Sequence, residues 1–209
     1  LKPERVTLTG RTVRVVPLNP ELHGDALFEG SSGPANDHLW DYLFEGPFTD
    51  RAAYQEHLIQ KAALDDPLFF AIIDNQTQRA VGRASYLRIE PAHRVIEVGN
   101  ILYTPQLQRT AGATEAMYLM ARYVFEDLGY RRYEWKCNAL NEPSRRAALR
   151  LGFTFEGIFR QHMIVKGRNR DTAWYSMLDS EWPQRKQAFE RWLDPANFDA
   201  HGHQKSSLT

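Results

Sequence analysis

Residues 95–128, VIEVGNILYTPQLQRTAGATEAMYLMARYVFEDL, decide the fold. Val95 to Tyr103, reached through Glu90-Pro91-Ala92-His93, reads as a strand. Beyond it, Ala113, Ala116, Met117, Met120, Ala121, Val124, Phe125 and Leu128 recur at alternating steps of three and one. That spacing lays a near-continuous apolar stripe along a helix of 3.6-residue period. Gly129 stands where a glycine cap ends such a helix. Tyr133 to Cys137 follows as a strand, so strand, helix and strand can form a parallel crossover, which should be right-handed.

Working outward, Leu68 to Ile73 is a short apolar run bounded by Asp66-Pro67 and Asp74-Asn75, as a central strand would be. Ala80 to Ile89 is its expected antiparallel partner, and with 95–103 these segments make a meander. Val6 to Val16 alternates as one strand or two. Asn19-Pro20 starts a helix that should end near Gly30, before the breakers Ser31-Ser32-Gly33-Pro34. Residues 39–48 carry Trp40, Tyr42, Phe44 and Phe48 with neither helical nor strand period, and Thr49-Asp50 opens a second helix. On the far side, a helix from about Asn141 to Leu151 stops at Gly152. Strands are expected over Phe153–Phe159 and Ala173–Leu178, then a helix over Ser180–Leu193. Residues 194–209 read as a solvated, flexible tail. The expected fold is therefore α/β, a single domain over 1–193: a mostly antiparallel mixed sheet with one parallel junction, flanked by helices.

Composition narrows the function. The chain has 209 residues, one domain's worth, and 26 basic against 26 acidic side chains, which is no surface for tracking phosphates. Neither a nucleic-acid partner nor a membrane is expected, since no apolar run nears the roughly 18 residues of a spanning helix. The single Cys137 excludes an internal disulfide framework and a four-cysteine metal site. The histidines show no paired spacing, so no metal is assigned. The opening Leu1-Lys2-Pro3-Glu4-Arg5 has no apolar signal core, and a cytoplasmic protein is expected.

Two stretches can carry chemistry. Gln108-Arg109-Thr110-Ala111-Gly112-Ala113-Thr114 turns from a strand end into the long helix. Its small residues admit a ligand to the backbone, and unpaired N–H groups at the helix start favour an anion such as a pyrophosphate. It is neither a Walker loop nor a three-glycine dinucleotide turn. Cys137 to Arg146 lies at the carboxyl end of the next strand, the edge where ligands bind between parallel strands that part. Asn141 is a helix cap by residue type, with Ser144 one turn on, while Arg145 and Arg146 add positive charge.

Arg109-x-x-Gly112-x-Thr114 resembles the acyl-coenzyme A loop of GNAT-type N-acyltransferases, with Thr114 where that family favours glycine or alanine. Asn141-x-x-Ser144 followed by Leu151-Gly152-Phe153 resembles the superfamily's second motif. Together with Glu156-Gly157, Arg160, Arg170-Asp171 and Tyr175-Ser176, these residues resemble the RimJ/RimL branch. The likeness spans roughly residues 6–193, and 109–178 carries most of its specificity.

The resemblance implies an acetyltransferase, with acetyl-coenzyme A as cosubstrate and an amine that attacks the thioester directly. A protein N-terminus or a small amine would be the acceptor, and a homodimer is an expectation of the same origin. It places pantetheine beside Ile101, Leu102 and Tyr103, where a bulge at Gly99 could part the strands and a backbone N–H could hold the oxyanion. Arg109, Thr110, Ala111, Gly112, Ala113 and Thr114 would hold the pyrophosphate, with Asn141, Ser144 and Arg145 on the coenzyme as well. Glu97 would be the base, its pKa raised by burial, and it would touch the acceptor; the plainer alternative is a solvent-facing carboxylate paired with Arg94 or Arg83. Ser144 would donate to the leaving thiolate. Trp40, Tyr42 and Phe44 would line the acceptor side, although they could equally pack the early helices. A coenzyme-binding sensor without turnover is the alternative from another class.

Overall fold

One eight-stranded sheet, in the order β1-β2-β3-β4-β5-β6-β8-β7, organises the computed structural model, which describes residues 1–209. The strands are β1 (Leu8–Thr9), β2 (Val13–Pro17), β3 (Leu68–Asp74), β4 (Ala80–Glu90), β5 (Val95–Tyr103), β6 (Arg132–Asn138), β7 (Thr154–Val165) and β8 (Arg168–Leu178). All neighbours are antiparallel except β5 and β6. Helices α1 (Pro20–Ser31) and α2 (Arg51–Ala62) cover β2–β4 on one face, where Leu27, Trp40, Tyr54, Leu58 and Phe69 form a small core. Helices α3 (Ala111–Arg122) and α5 (Trp182–Leu193) bury the main core against the other face, while α4 (Glu142–Arg150) packs beside β6 and β7.

The apolar stripe of the long helix lies where its period places it, yet the helix changes pitch. After Arg122 the chain widens into a π turn over Tyr123–Asp127, with Leu128 N donating to Tyr123 O. Tyr123, Val124 and Phe125 are all buried there, continuing the buried run of α3. The start of α3 lies close to the sheet: a Cβ on Gly112 would meet Val13 Cγ1 at 2.8 Å, so this glycine serves packing before any ligand.

Two expectations need correction. The last hairpin is far longer than 153–159 and 173–178. Its outer half, through the Lys166-Gly167 turn with φ of 51° and 74°, is a polar edge whose alternation is broken by the register shift between Phe159 and Met163. Residues 194–209 fold back rather than trailing into solvent. Asn197 Nδ2 donates to Trp192 O at 3.0 Å, Trp192 Nε1 donates to Gln204 Oε1 at 2.8 Å, and Leu208 is buried in the main core. A short polar stretch held by one asparagine and one leucine leaves no periodic signal.

Beside the small core, Arg83 is fully buried and donates from Nη2 to Glu45 Oε1 and from Nη1 to His57 Nε2, each at 3.1 Å. Accepting that bond requires a bare Nε2, so His57 is neutral. Burial, and then the Arg83 charge, push its pKa down to about 4. An unfolded histidine titrates near 6.5, so the unfolded chain binds more protons between these values. This histidine's stabilisation is complete above about pH 6.5 and falls as the pH drops toward 4, by about 3 kcal/mol. Urea unfolding at pH 7 and pH 4.5 should show a smaller acid loss in His57→Gln than in the wild type. Equal losses would remove His57 from the account.

Candidate active site

The parallel pairing runs from Val95↔Arg132 to Val98↔Trp135 and stops, although β5 continues to Tyr103 and β6 to Asn138. A bulge on the other side of β5 accompanies the parting. Ser85 pairs with Gly99 and Arg83 with Leu102, so β5 carries one more residue than β4 over this interval. The left-handed residue is Asn100, with φ of 52°, rather than the expected Gly99. Asn100 Nδ2 donates to Ser85 Oγ at 2.9 Å, and Ser85 Oγ donates to Gly99 O at 3.1 Å. Asparagine tolerates this region of backbone space better than most side chains do. Gly99 answers a different need: a Cβ there would meet Leu87 Cδ2 at 2.9 Å.

The turn into α3 opens at the same edge. Arg109 adopts φ of 59°, and the extended Thr110 precedes the helix. Its hydroxyl donates to Leu107 O at 2.7 Å and so caps nothing. The N–H groups of Arg109, Ala111 and Gly112 find no acceptor in the chain, while Ala113 N donates to Thr110 O. Three main-chain donors at a helix start form an anion cradle. Thr114 does not crowd it by an unpaired side chain, for its buried hydroxyl accepts from Arg150 Nη1 at 2.9 Å. Ile101 and Tyr103 are half-buried along the parted strand, whereas Leu102 turns its side chain into the small core.

Across the gap, Asn141 caps α4, its Oδ1 accepting from Ser144 N at 3.3 Å. Trp135 Nε1 donates to Ser144 Oγ at 3.0 Å, which anchors the oxygen and leaves the serine proton available to another acceptor. Cys137 is buried beside it, and burial pushes its thiol pKa up, as suits an inert packing residue. Arg145 is already committed: Nε donates to Tyr175 Oη at 3.0 Å and Nη1 to Ala139 O at 3.2 Å. Arg146 is the exposed arginine of this turn.

The sheet face beyond α1 and α2 is charged. Glu97 and Glu134 stand side by side in the parallel pair. Lys136 Nζ bridges them, 3.1 Å from Glu97 Oε2 and 3.2 Å from Glu134 Oε1, and lies 3.8 Å from the centre of the Trp174 ring. Arg88, re-aimed by a left-handed bulge in β4, donates from Nε to Glu97 Oε2 at 2.9 Å. Glu97 is thus buried and paired with Arg88 and Lys136, not with Arg94 or Arg83. Burial raises its pKa more than the two cations lower it. Both cations hold Oε2; Oε1 makes no hydrogen bond and faces Gly99, next to the parting of the strands.

Trp40 lines nothing. It is 1% exposed in the small core, with Nε1 donating to Ser31 O. Tyr42 and Phe44 do reach the rim: the Tyr42 hydroxyl donates weakly to Leu140 O at 3.4 Å, and Phe44 lies under the Arg170 guanidinium. Sequence reasoning gave no site role to Lys136, Arg88 or the Trp135 anchor, nor to Arg170, which stood there only as a motif residue. The first was legible, because Glu134 and Lys136 are two apart on a strand and share a face. A cavity of about 440 Å³ around His93, Arg94 and Arg132 lies at the opposite end of β5 and β6, where the strands remain paired. No three His, Cys, Asp or Glu side chains converge as a metal set would require.

A mixed sheet opened at its only parallel junction, with bare amides on the following helix, is the arrangement implied by the resemblance to GNAT proteins. Residues 13–154 match the model of the acetyltransferase (GNAT) domain family. A GCN5-related N-acetyltransferase of Brucella melitensis, known as a crystal structure, is 54% identical with a TM-score of 0.98, covering 100% of this chain and 94% of that one. The uncharacterized N-acetyltransferase YnaD of Bacillus subtilis is 27% identical over 158 residues, 75% of this chain and 88% of that protein. The ribosomal L7/L12 α-N-protein acetyltransferase RimL, solved in complex with coenzyme A, shares the fold at 18% identity and a TM-score of 0.67, over 83% of this chain and 98% of that one. The chain belongs to the GNAT acetyltransferase family.

Removing the bridging ammonium should leave two adjacent buried carboxylates facing each other, with only Arg88 and Arg132 at their outer sides. Lys136→Met is expected to cost roughly 3 kcal/mol of stability in urea unfolding, the scale of a broken buried pair. A loss below about 1 kcal/mol, the scale of a surface pair, would mean that water already screens the cluster.

Proposed function

We propose that the protein transfers an acetyl group from acetyl-coenzyme A to a primary amine by direct attack within a ternary complex. The parting of β5 and β6 beyond Val98 and Trp135 carries this reading, because it leaves strand backbone without a partner beside an anion cradle. The pantetheine arm adds to β5 along Ile101–Tyr103 as a further strand would. The pyrophosphate sits on the N–H groups of Arg109, Ala111 and Gly112, with Arg146 nearby and the side-chain amide of Asn141 on the pantetheine.

The acceptor arrives from the charged face. Its ammonium gives a proton to Glu97 Oε1, whose pKa burial has raised toward the useful range. The neutral amine attacks the thioester carbonyl, and an N–H at Ile101 or Leu102 holds the oxyanion. As the carbon–sulfur bond breaks, the surplus proton of the attacking nitrogen passes to the sulfur by way of the Ser144 hydroxyl, fixed by Trp135, and coenzyme A leaves as the thiol. No covalent enzyme intermediate forms, so Cys137 has no step to perform. The resemblance of its motifs to the RimJ/RimL branch supports a protein N-terminal amine as one acceptor class, with a small amine as the other.

Thiol release from acetyl-coenzyme A with a panel of amines tests the reaction, and calorimetry with coenzyme A tests the site. Tight binding with no release for any amine would favour a sensor over an enzyme. Ser144→Ala should lower kcat by about 10- to 100-fold while the Kd for coenzyme A moves less than about twofold. Unchanged turnover would reduce Ser144 to a residue of the helix start.

A further inference from the structure

The acceptor face holds more cations than its carboxylates neutralise. Arg88 and Lys136 share Glu97, Lys136 and Arg132 share Glu134, and Arg132 also takes Glu156. Arg170, on β8, has no carboxylate within salt-bridge distance, although only 7% of it is exposed. Its Nε donates to Thr172 Oγ1 at 3.1 Å, and its guanidinium carbon lies 5.5 Å from the centre of the Phe44 ring. The two Nη groups make no hydrogen bond, yet neither is sealed from solvent. Arg170 shares the face of β8 with Trp174, on which Lys136 rests, so its guanidinium lies on the charged face beside Phe44. Burial pushes the guanidinium pKa below its ordinary value, and the charge of Glu97 reaches Arg170 without touching it.

A buried arginine without an anion is costly to hold. Its stacking on a half-exposed Phe44 does not satisfy the paired N–H donors of the fork, whose geometry matches a carboxylate. Resting on the acetyltransferase reading above, we infer that the acceptor amine carries a carboxylate on the same molecule, and that Arg170 receives it. Glu97 then faces the amine while Arg170 takes the acid, so one compact amphoteric acceptor spans the two. The acid comes from a free amino acid or from an acidic residue at the start of a peptide; the chemistry at Arg170 is the same.

Two matched pairs separate these sources: phenylalanine against phenylalaninamide, and a peptide beginning Asp-Ala against one beginning Asn-Ala, each with a blocked carboxyl end. Binding to the coenzyme A complex is read by calorimetry and turnover by thiol release. In at least one pair the acid should exceed its neutral partner by roughly tenfold or more in Kd and kcat/KM. The pair that shows this names the source. R170Q should erase the preference through KM rather than kcat, R170K should restore part of it, and the Kd for coenzyme A should not change. Equal handling of acid and amide in both pairs, or a preference that survives R170Q, overturns the inference. The wild-type comparison stands even where R170Q fails to fold. Thiol release with none of the amines sinks the acetyltransferase reading, and the calorimetric pairs still decide Arg170 on their own.

Discussion

Backbone polar groups in a sheet must find partners, and at one place in this sheet they cannot find them in the neighbouring strand. β5 and β6 pair as far as Val98 and Trp135, and then the bulge at Asn100 and the turn of β6 into α4 take the strands apart. The parallel connection makes this possible. A crossover through α3 brings the carboxyl ends of both strands, and the loops that leave them, to one edge. The bare amides of Arg109, Ala111 and Gly112, the Asn141 cap and the Trp135–Ser144 bond all follow from that placement. None of these residues is unusual alone; their convergence is topological.

The charged face depends on the same pairing. Parallel register sets Glu97 beside Glu134, an arrangement of like charges that only an interposed cation makes tolerable. Lys136 provides it from the next same-face position of β6, and the Trp174 ring helps hold the ammonium. With both cations on Oε2, the other oxygen of Glu97 is left toward the gap, so the ion pairs orient the carboxylate instead of silencing it. Arg170 stands outside this balance because its strand belongs to the long hairpin, which reaches past the last residue of β6.

Regular periodicity made much of the architecture legible. The steps of three and one in α3, the apolar run of β3 and the caps Asn19, Asp50 and Asn141 all mark elements that the structure contains. The outer half of the last hairpin was not legible, because an edge strand with bulges buries too little to alternate. Residues 194–209 were not either, since one buried Leu208 has no period. Within the candidate site, the position of Glu97 on its strand could be read, but its pairing with Arg88 could not, because Arg88 reaches it only through a one-residue bulge. Trp40 shows the converse error: aromatic composition near a site is no measure of exposure, and this ring fills the core beneath it.

Amide hydrogen exchange with and without saturating acetyl-coenzyme A probes the unpaired edge most directly. The amides of residues 99–103 and 109–112 should slow on addition of the cosubstrate, while those of 95–98, already paired across both neighbours, stay as they are. Unchanged exchange at 99–103 and 109–112 in millimolar acetyl-coenzyme A would show that the parted strands do not hold it.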